Sequence, residues 1–191
     1  SLTSVSIGDS VTSIGSYAFY GCNSLASITI PEGVTSLEYQ TFYNCTSLES
    51  VTLPEGLVSI ADRYNGGVFE NCTSLKSIVV PDSVTSIGSY AFDGCSGLTS
   101  VSIGERVASI GSGAFSGCSS LTSIVVPDSV TSIGSSAFSD CSSLTNITIP
   151  KGVTSIEVNT FYNCTGLESV AIPDSVTSIG SSAFQDCSSL K

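Results

Sequence analysis

The stretch LTSIVVPDSVTSIGSSAFSDCSSL, residues 121–144, decides the fold of this chain, because close copies of it run from one end to the other. One unit reads L-x-S-I-x-I-P-[DE]-x-V-T-S-I-x-x-x-A-F-x-x-C-x-S. Eight copies begin at Leu2, Leu25, Leu48, Leu75, Leu98, Leu121, Leu144 and Leu167. Their spacing is 23 residues, except where ADRYNGGVF (61–69) carries a four-residue insertion in the third copy. All 8 phenylalanines share one column, and each is followed three residues later by one of the 8 cysteines. A fixed period in this range denotes a stacked-repeat solenoid. It overrides the one-or-two-domain prior set by length, so residues 1–191 read as a single quasi-linear array. Ser1 precedes the first copy and Leu190-Lys191 opens a ninth, which reads as a segment cut from a longer protein.

An even cysteine count suggests a disulfide framework only when the spacing is irregular. Here the cysteines belong to the repeat. The leading reading is a buried column of small, nearly apolar side chains. Disulfides between adjacent rungs fit the separation of neighbouring strands, but parallel Cβ vectors do not favour the required dihedral. Zinc finds neither histidine nor a C-x-x-C pair. Buried thiols are inert, so no cysteine nucleophile is expected.

Within a unit, LTSVSI (2–7) alternates as a half-buried strand and is rich in β-branched residues. Pro31, Pro54, Pro81, Pro127, Pro150 and Pro173 end that strand in a turn, with Gly8 and Gly104 in the same column. VTSI predicts a second short strand, and AFDGC (91–95) a helical turn that closes the coil. Parallel rungs stack roughly 4.8 Å apart. The Leu, Ile/Val, Phe and Cys columns then become internal ladders.

The formal net charge is −11, with 5 cations and no histidine. Phosphate neutralisation needs a basic face, so nucleic acid and anionic membranes are poor partners. No apolar run reaches the length of a membrane span, and no signal peptide opens the chain.

The L-x-x-[IV]-x-[IV] opening resembles the general leucine-rich repeat. The Ile-Pro turn, V-T-S-I and A-F-x-x-C-x-x-L together resemble the BspA-like, or treponemal-type, leucine-rich repeat over essentially the whole chain. The resemblance implies a curved solenoid with a parallel β-sheet on its concave face. It also implies a part of a large surface or secreted protein, engaged in adhesion to extracellular matrix or cell-surface proteins. The family offers no catalytic residues to carry over. Gly8 and Gly104, where proline is usual, and the insertion depart from its pattern.

Candidate binding residues follow from these columns. The outward first-strand positions are small and polar, including Ser27, Thr29, Thr52 and Thr148, with Val79, Val125 and Ala171 interrupting the row. Such a face reads either as a solvated sheet surface or as a shallow binding surface for a protein or glycan. Glu49, Lys76 and Glu168 lie at its margin. The insertion contributes Asp62, Arg63 and Tyr64, either as a binding loop or as repeat drift. An acidic column (Asp9, Glu32, Glu55, Asp82, Glu105, Asp128, Asp174, broken by Lys151) reads as turn chemistry and solubility, or as a weak Ca²⁺ or basic-partner stripe. A threonine row on the second strand resembles ice-ordering arrays, but Val58 and Ala108 break it. Tyr20, Tyr43 and Tyr162 share a column beside the phenylalanines. The N-x-T sequons at Asn44, Asn71, Asn146 and Asn163 read as by-products of repeat composition.

Repeats create near-identical environments, whereas acid–base catalysis needs one specially tuned group. The expectation is a non-catalytic adhesion module without cofactor or metal, located extracellularly or on the cell surface. The alternative is a structural spacer or self-assembling filament or surface-layer element, because the end units look like internal ones.

Overall fold

The structure is a computed structural model that describes residues 2–61 and 66–191. Most copies form one rung with two short strands. In chain order these are β1 (Ser27–Thr29) and β2 (Ser36–Leu37), β3 (Ser50–Thr52) and β4 (Ser59–Ile60), β5 (Ser77–Val79) and β6 (Ser86–Ile87), and β7 (Ser100–Ser102) and β8 (Ser109–Ile110). Then follow β9 (Ser132–Ile133), β10 (Asn146–Thr148) and β11 (Ser155–Ile156), and β12 (Ser169–Ala171) and β13 (Ser178–Ile179). All pairings are parallel and step by one repeat, as in Ser27 to Ser50 and Asn146 to Ser169. The second strands form a five-stranded sheet in the order β2-β4-β6-β8-β9, while β11 pairs with β13. Register passes from Ser59 to Ser86, so the insertion leaves this ladder intact.

Strand formation departs from the expectation in two copies. No strand forms over 2–7, and on the strand sides the first copy pairs with the second by a single bridge, Ile14 to Leu37. In the sixth copy β9 forms, but the first strand is reduced to a bridge of Ser123 with Asn146. β-Branched content favours a strand only where a neighbouring ladder takes its backbone groups.

The proline turn forms as expected. The N–H of Val84 donates to the Pro81 carbonyl at 3.1 Å, and Val107 to Gly104 at 3.2 Å. The turn uses this residue's carbonyl and not its N–H, so Gly8 and Gly104 replace proline without changing the bond.

The AF-x-x-C segment is a series of hydrogen-bonded turns, and none of the described residues is helical. Two of its positions hold positive φ. One lies two residues before the phenylalanine, as at Tyr17 (62°), Tyr90 (58°) and Asn159 (57°). The other lies just before the cysteine, as at Asn71 (61°), Gly94 (68°) and Asp140 (59°). Left-handed residues break the α-helical path and re-aim alternate N–H groups at the next rung. Phe92 N thus donates to Ala114 O at 2.8 Å, and Gly94 N to Ser116 O at 2.8 Å. The intervening Asp93 N closes back on Tyr90 O at 3.0 Å, and Cys95 N on Phe92 O at 3.2 Å. The third side of the coil is therefore also a rung-to-rung ladder.

Stacking puts like on like. The eight phenylalanine rings form one continuous pile from Phe19 to Phe184, with adjacent centroids 5.1–5.6 Å apart and planes within 11° of parallel. Leu25, Leu48, Leu75, Leu98, Leu121, Leu144 and Leu167 are fully buried beside it. Each such side chain stabilises the fold by roughly 1.5–3 kcal/mol relative to exposure. Seven cysteines are buried, Cys22 is half-buried, and all eight are free thiols. Each thiol from Cys45 onward donates to the carbonyl of the preceding rung's phenylalanine, at 3.0–3.3 Å. The column therefore supplies a weak donor as well as a small apolar filler.

Candidate functional site

Alternation along the first strand points its middle residue inward and its two ends outward. Ile28, Val51, Ile78 and Ile147 are buried, while Ser27, Thr29, Ser50, Thr52, Ser77, Asn146 and Thr148 are exposed. Thr29 pairs with Thr52 in register, and Thr148 with Ala171, so the hydroxyls form a file along the stacking direction. Ser27 and Thr29 also line a depression of about 330 Å³ shared with Ser6, Asp9 and Pro31. Val79 and Val125 stand out of this file at 64% and 80% exposure, giving it apolar contacts near its middle.

The marginal charges close into pairs. Lys76 Nζ lies 2.7 Å from Glu49 Oε2, and Lys191 Nζ lies 3.7 Å from Glu168 Oε2. Both pairs are well exposed, so each contributes at most about 1 kcal/mol to stability. Between them the same column continues as Thr99, Thr122 and Thr145. The Thr99 hydroxyl donates to the Lys76 carbonyl at 3.0 Å, and the Thr145 hydroxyl to the Thr122 carbonyl at 3.3 Å. The structure thus brings Ser27 close to Thr29 and Thr52, and Glu49 to Lys76. It sets Thr148 and Glu168 several rungs away. Asp62, Arg63 and Tyr64 lie outside the described residues.

The acidic turn column is fully exposed. A cross-rung bond in it runs from Glu105 N to Asp82 Oδ1 at 2.9 Å. Among the described residues, no group of three or more Cys, Asp or Glu side chains is placed to hold a metal ion. Burial pushes the thiols of Cys95, Cys118 and Cys141 far above their ordinary range, and that of Cys164 up to about 12. A thiol so protonated and enclosed is no nucleophile.

Sequence reasoning missed several features. Thr41 and Thr160 are buried where five of the other copies have alanine and the third has Val68. Their hydroxyls donate to the Glu38 and Glu157 carbonyls at 2.7 and 2.8 Å. Asn44, Asn71 and Asn163 occupy the left-handed position before cysteine, a conformation asparagine tolerates better than most residues. Turn geometry therefore accounts for three of the four sequons. A second depression, of about 560 Å³, lies between second strands and turns, lined by Tyr90, Ser109, Ser112, Ser132 and Ser136. Its parts come from three adjacent copies, so no single repeat signals it.

Residues 1–65 and 64–191 match the BspA type leucine rich repeat region. The fold is similar to the crystal structure of a T. pallidum leucine rich repeat protein. That protein is 32% identical, with 86% of this chain and 78% of that one covered and a TM-score of 0.81. A leucine-rich repeat protein from Eubacterium ventriosum is 29% identical over 88% of this chain, with a TM-score of 0.75. This chain spans 45% of that one. A leucine rich cell surface protein from Faecalibacterium prausnitzii is 35% identical over 96% of this chain and 63% of its own, with a TM-score of 0.49. No curated protein matches the chain.

Proposed function

The chain belongs to the BspA-type leucine-rich repeat family, and on that premise we propose that it is a non-catalytic scaffold binding extracellular matrix or cell-surface proteins. The observation that carries this reading is the file of exposed hydroxyls on the first strands, flanked by the Glu49–Lys76 and Glu168–Lys191 pairs. A rigid ladder holds these groups in a regular row, so a partner meets them already ordered. Ser27, Thr29, Thr52 and Thr148 supply hydrogen bonds, and Val79 and Val125 apolar contacts. This face lacks clustered aromatic anchors, so single contacts are weak and affinity grows with the number of rungs engaged. A glycan carried by a surface protein fits the same hydroxyl row. The place of action is the cell surface or its exterior, as the family resemblance implies.

The test is binding of the chain to immobilised matrix proteins, intact cells and glycans. Variants Thr29→Arg, Thr52→Arg and Thr148→Arg change only exposed positions. Loss of binding in these variants with unchanged thermal unfolding supports the reading. Failure of the wild-type chain to bind any of the three surfaces ends it. Replacing Asp62–Tyr64 with glycines assesses the insertion as a contributor.

A second reading, a spacer or self-assembling element, rests on apolar side chains exposed in the end copies. Leu2 and Ile172 are 42% exposed and Ile179 is 56% exposed. Light scattering across a concentration series separates the two. End-to-end growth favours assembly, and a constant monomer mass removes its self-stacking form.

A further inference from the structure

Four tyrosines crowd the turn face of the first two rungs, away from the hydroxyl file. Tyr20 and Tyr43 stack with centroids 4.9 Å apart and planes 10° from parallel. Tyr17 meets Tyr39 edge-on, at 5.1 Å and 82°, and leans on Tyr20 at 5.9 Å. The rings thus form a connected cluster with walls in two orientations. Tyr17 and Tyr20 are 48% and 51% exposed, so this cluster is not a core. A side-chain hydrogen bond with Tyr39 holds the Tyr17 phenol protonated, above its ordinary pKa.

The backbone does not ask for a tyrosine here. Tyr17 has φ 62°, where a bulky side chain is disfavoured. Other rungs fill the same position with Gln40, Gly113, Ser136, Asn159 and Ser182, and once more with a tyrosine, Tyr90, all with positive φ. The aromatic ring is therefore carried against local preference.

The column that starts as Tyr20 and Tyr43 continues as Glu70 and Asp93 in the next two rungs. Backbone bonds hold these rungs together, Asn44 N to Glu70 O at 2.8 Å and Asn71 N to Asp93 O at 2.7 Å. Both carboxylates are half-buried. Burial raises both pKa values, and the Asp93 charge raises that of Glu70 further. Among the described residues of this face, 16–21, 39–44, 66–71 and 89–94, there is no lysine or arginine. Like charges with no lysine or arginine among the described residues of the face, beside the exposed rings of Tyr17 and Tyr20, are complementary to a cationic group.

We propose that Tyr17, Tyr20, Tyr39 and Tyr43, with Glu70 and Asp93, form a docking surface for an arginine-bearing segment of a partner protein. Guanidinium fits better than ammonium because it is planar, stacks on an aromatic face and donates to carboxylates in a fork. Tyrosine suits such a surface because its rigid ring offers large contact area at low entropic cost. This surface is independent of the hydroxyl file.

The test uses a fluorescein-labelled peptide alternating arginine with glycine, and the matching peptide with glutamine for arginine, at about 0.15 M salt. Fluorescence anisotropy reads binding to the whole chain. One variant combines Tyr17→Gly, Tyr20→Ser, Tyr39→Ser and Tyr43→Ser, residues that the same columns already hold at Gly113, Ser116 and Ser89. A second, Asp82→Asn with Glu105→Gln and Asp128→Asn, removes charge from the other acidic column. The expected result is binding of the arginine peptide only, weakened at least tenfold in the tyrosine variant and less than threefold in the charge variant. Equal weakening in both variants means diffuse charge attraction and overturns the proposal. So does a tyrosine variant that binds like wild type, or a wild-type chain that does not distinguish the two peptides. Should the fourfold variant melt early, Tyr20→Ser alone gives the same comparison at a half-exposed ring. Thr29→Arg leaves peptide binding intact, which keeps this surface distinct from the hydroxyl file.

Discussion

Truncating one ring in the middle of the phenylalanine pile should cost far more than truncating one at its end. Phe115 is fully buried and lies parallel to Phe92 at 5.3 Å and to Phe138 at 5.6 Å. Phe115→Ala forfeits a transfer term of roughly 1.5–3 kcal/mol. It also removes two ring–ring contacts worth about 0.5–1.5 kcal/mol each. Ala114 and Cys118 are held by backbone and thiol bonds, so the walls of the void do not collapse and a total of ~3–5 kcal/mol is expected. Phe184 is half-buried and has one stacked partner, Phe161, at 5.4 Å. Phe184→Ala should therefore cost roughly half as much. Equilibrium urea unfolding followed by circular dichroism measures both, and the slope carries further information. Each rung touches only its neighbours, so an interruption at the centre uncouples two half-arrays and should lower the apparent slope for Phe115→Ala alone. Equal costs at the two positions, or an unchanged slope at Phe115, would refute the idea that the pile is the cooperative spine.

Other outcomes follow from particular bonds. Cys118→Ala deletes the thiol donor to Phe92 O, but that carbonyl keeps its bond from Cys95 N, so the loss should be only ~1 kcal/mol in the same assay. Folded-state thiol labelling should modify half-buried Cys22 well before Cys95, Cys118 or Cys141. The Cys164 thiol titrates at about 12 when folded and at about 8.5 when unfolded. Its contribution is thus intact below about pH 8.5 and falls as pH rises toward 12, so Cys164→Ala should flatten the alkaline decline in melting temperature. Asp93 has a raised folded-state pKa, chiefly from burial, so its stabilising contribution is present below about pH 4, the unfolded value, and lost as pH rises from there through the higher folded-state value. Asp93→Asn should therefore raise the melting temperature at pH 7 and not at pH 3. Gly67→Ala places a Cβ against the Tyr90 carbonyl, a backbone atom that cannot swing aside, and should cost about 1–3 kcal/mol by thermal unfolding.

Much of this architecture is legible in one repeat. The spacing of Leu121, Ile124 and Val126 names an inward first-strand face, and all three are buried. The exposed row through Ser27, Thr29 and Thr148 follows from the same alternation. The tyrosine cluster was only half legible. Tyr20 and Tyr43 share a column and so announce their contact. Tyr17 and Tyr39 belong to different columns, and only the path of the chain across two rungs brings them together. The Glu49–Lys76 pair is visible as two charges one repeat apart, but its closure depends on how the rungs cross the insertion.

The sequence by itself determined which residues stack, because a constant period converts equal position in the repeat into vertical neighbourhood. That fixes the Leu, Phe and Cys ladders and the inward and outward faces of the strands. Tertiary structure alone decided the path of the AF-x-x-C segment. The sign of φ at Tyr17 or Gln40 is not written in residue type, since left-handed backbone is locally disfavoured for both, whereas the position before cysteine holds only Gly, Asn or Asp, the residues that adopt it most readily. The next rung supplies carbonyls that capture the re-aimed N–H groups and offset that cost, so a segment expected to coil as a helical turn instead extends the ladder.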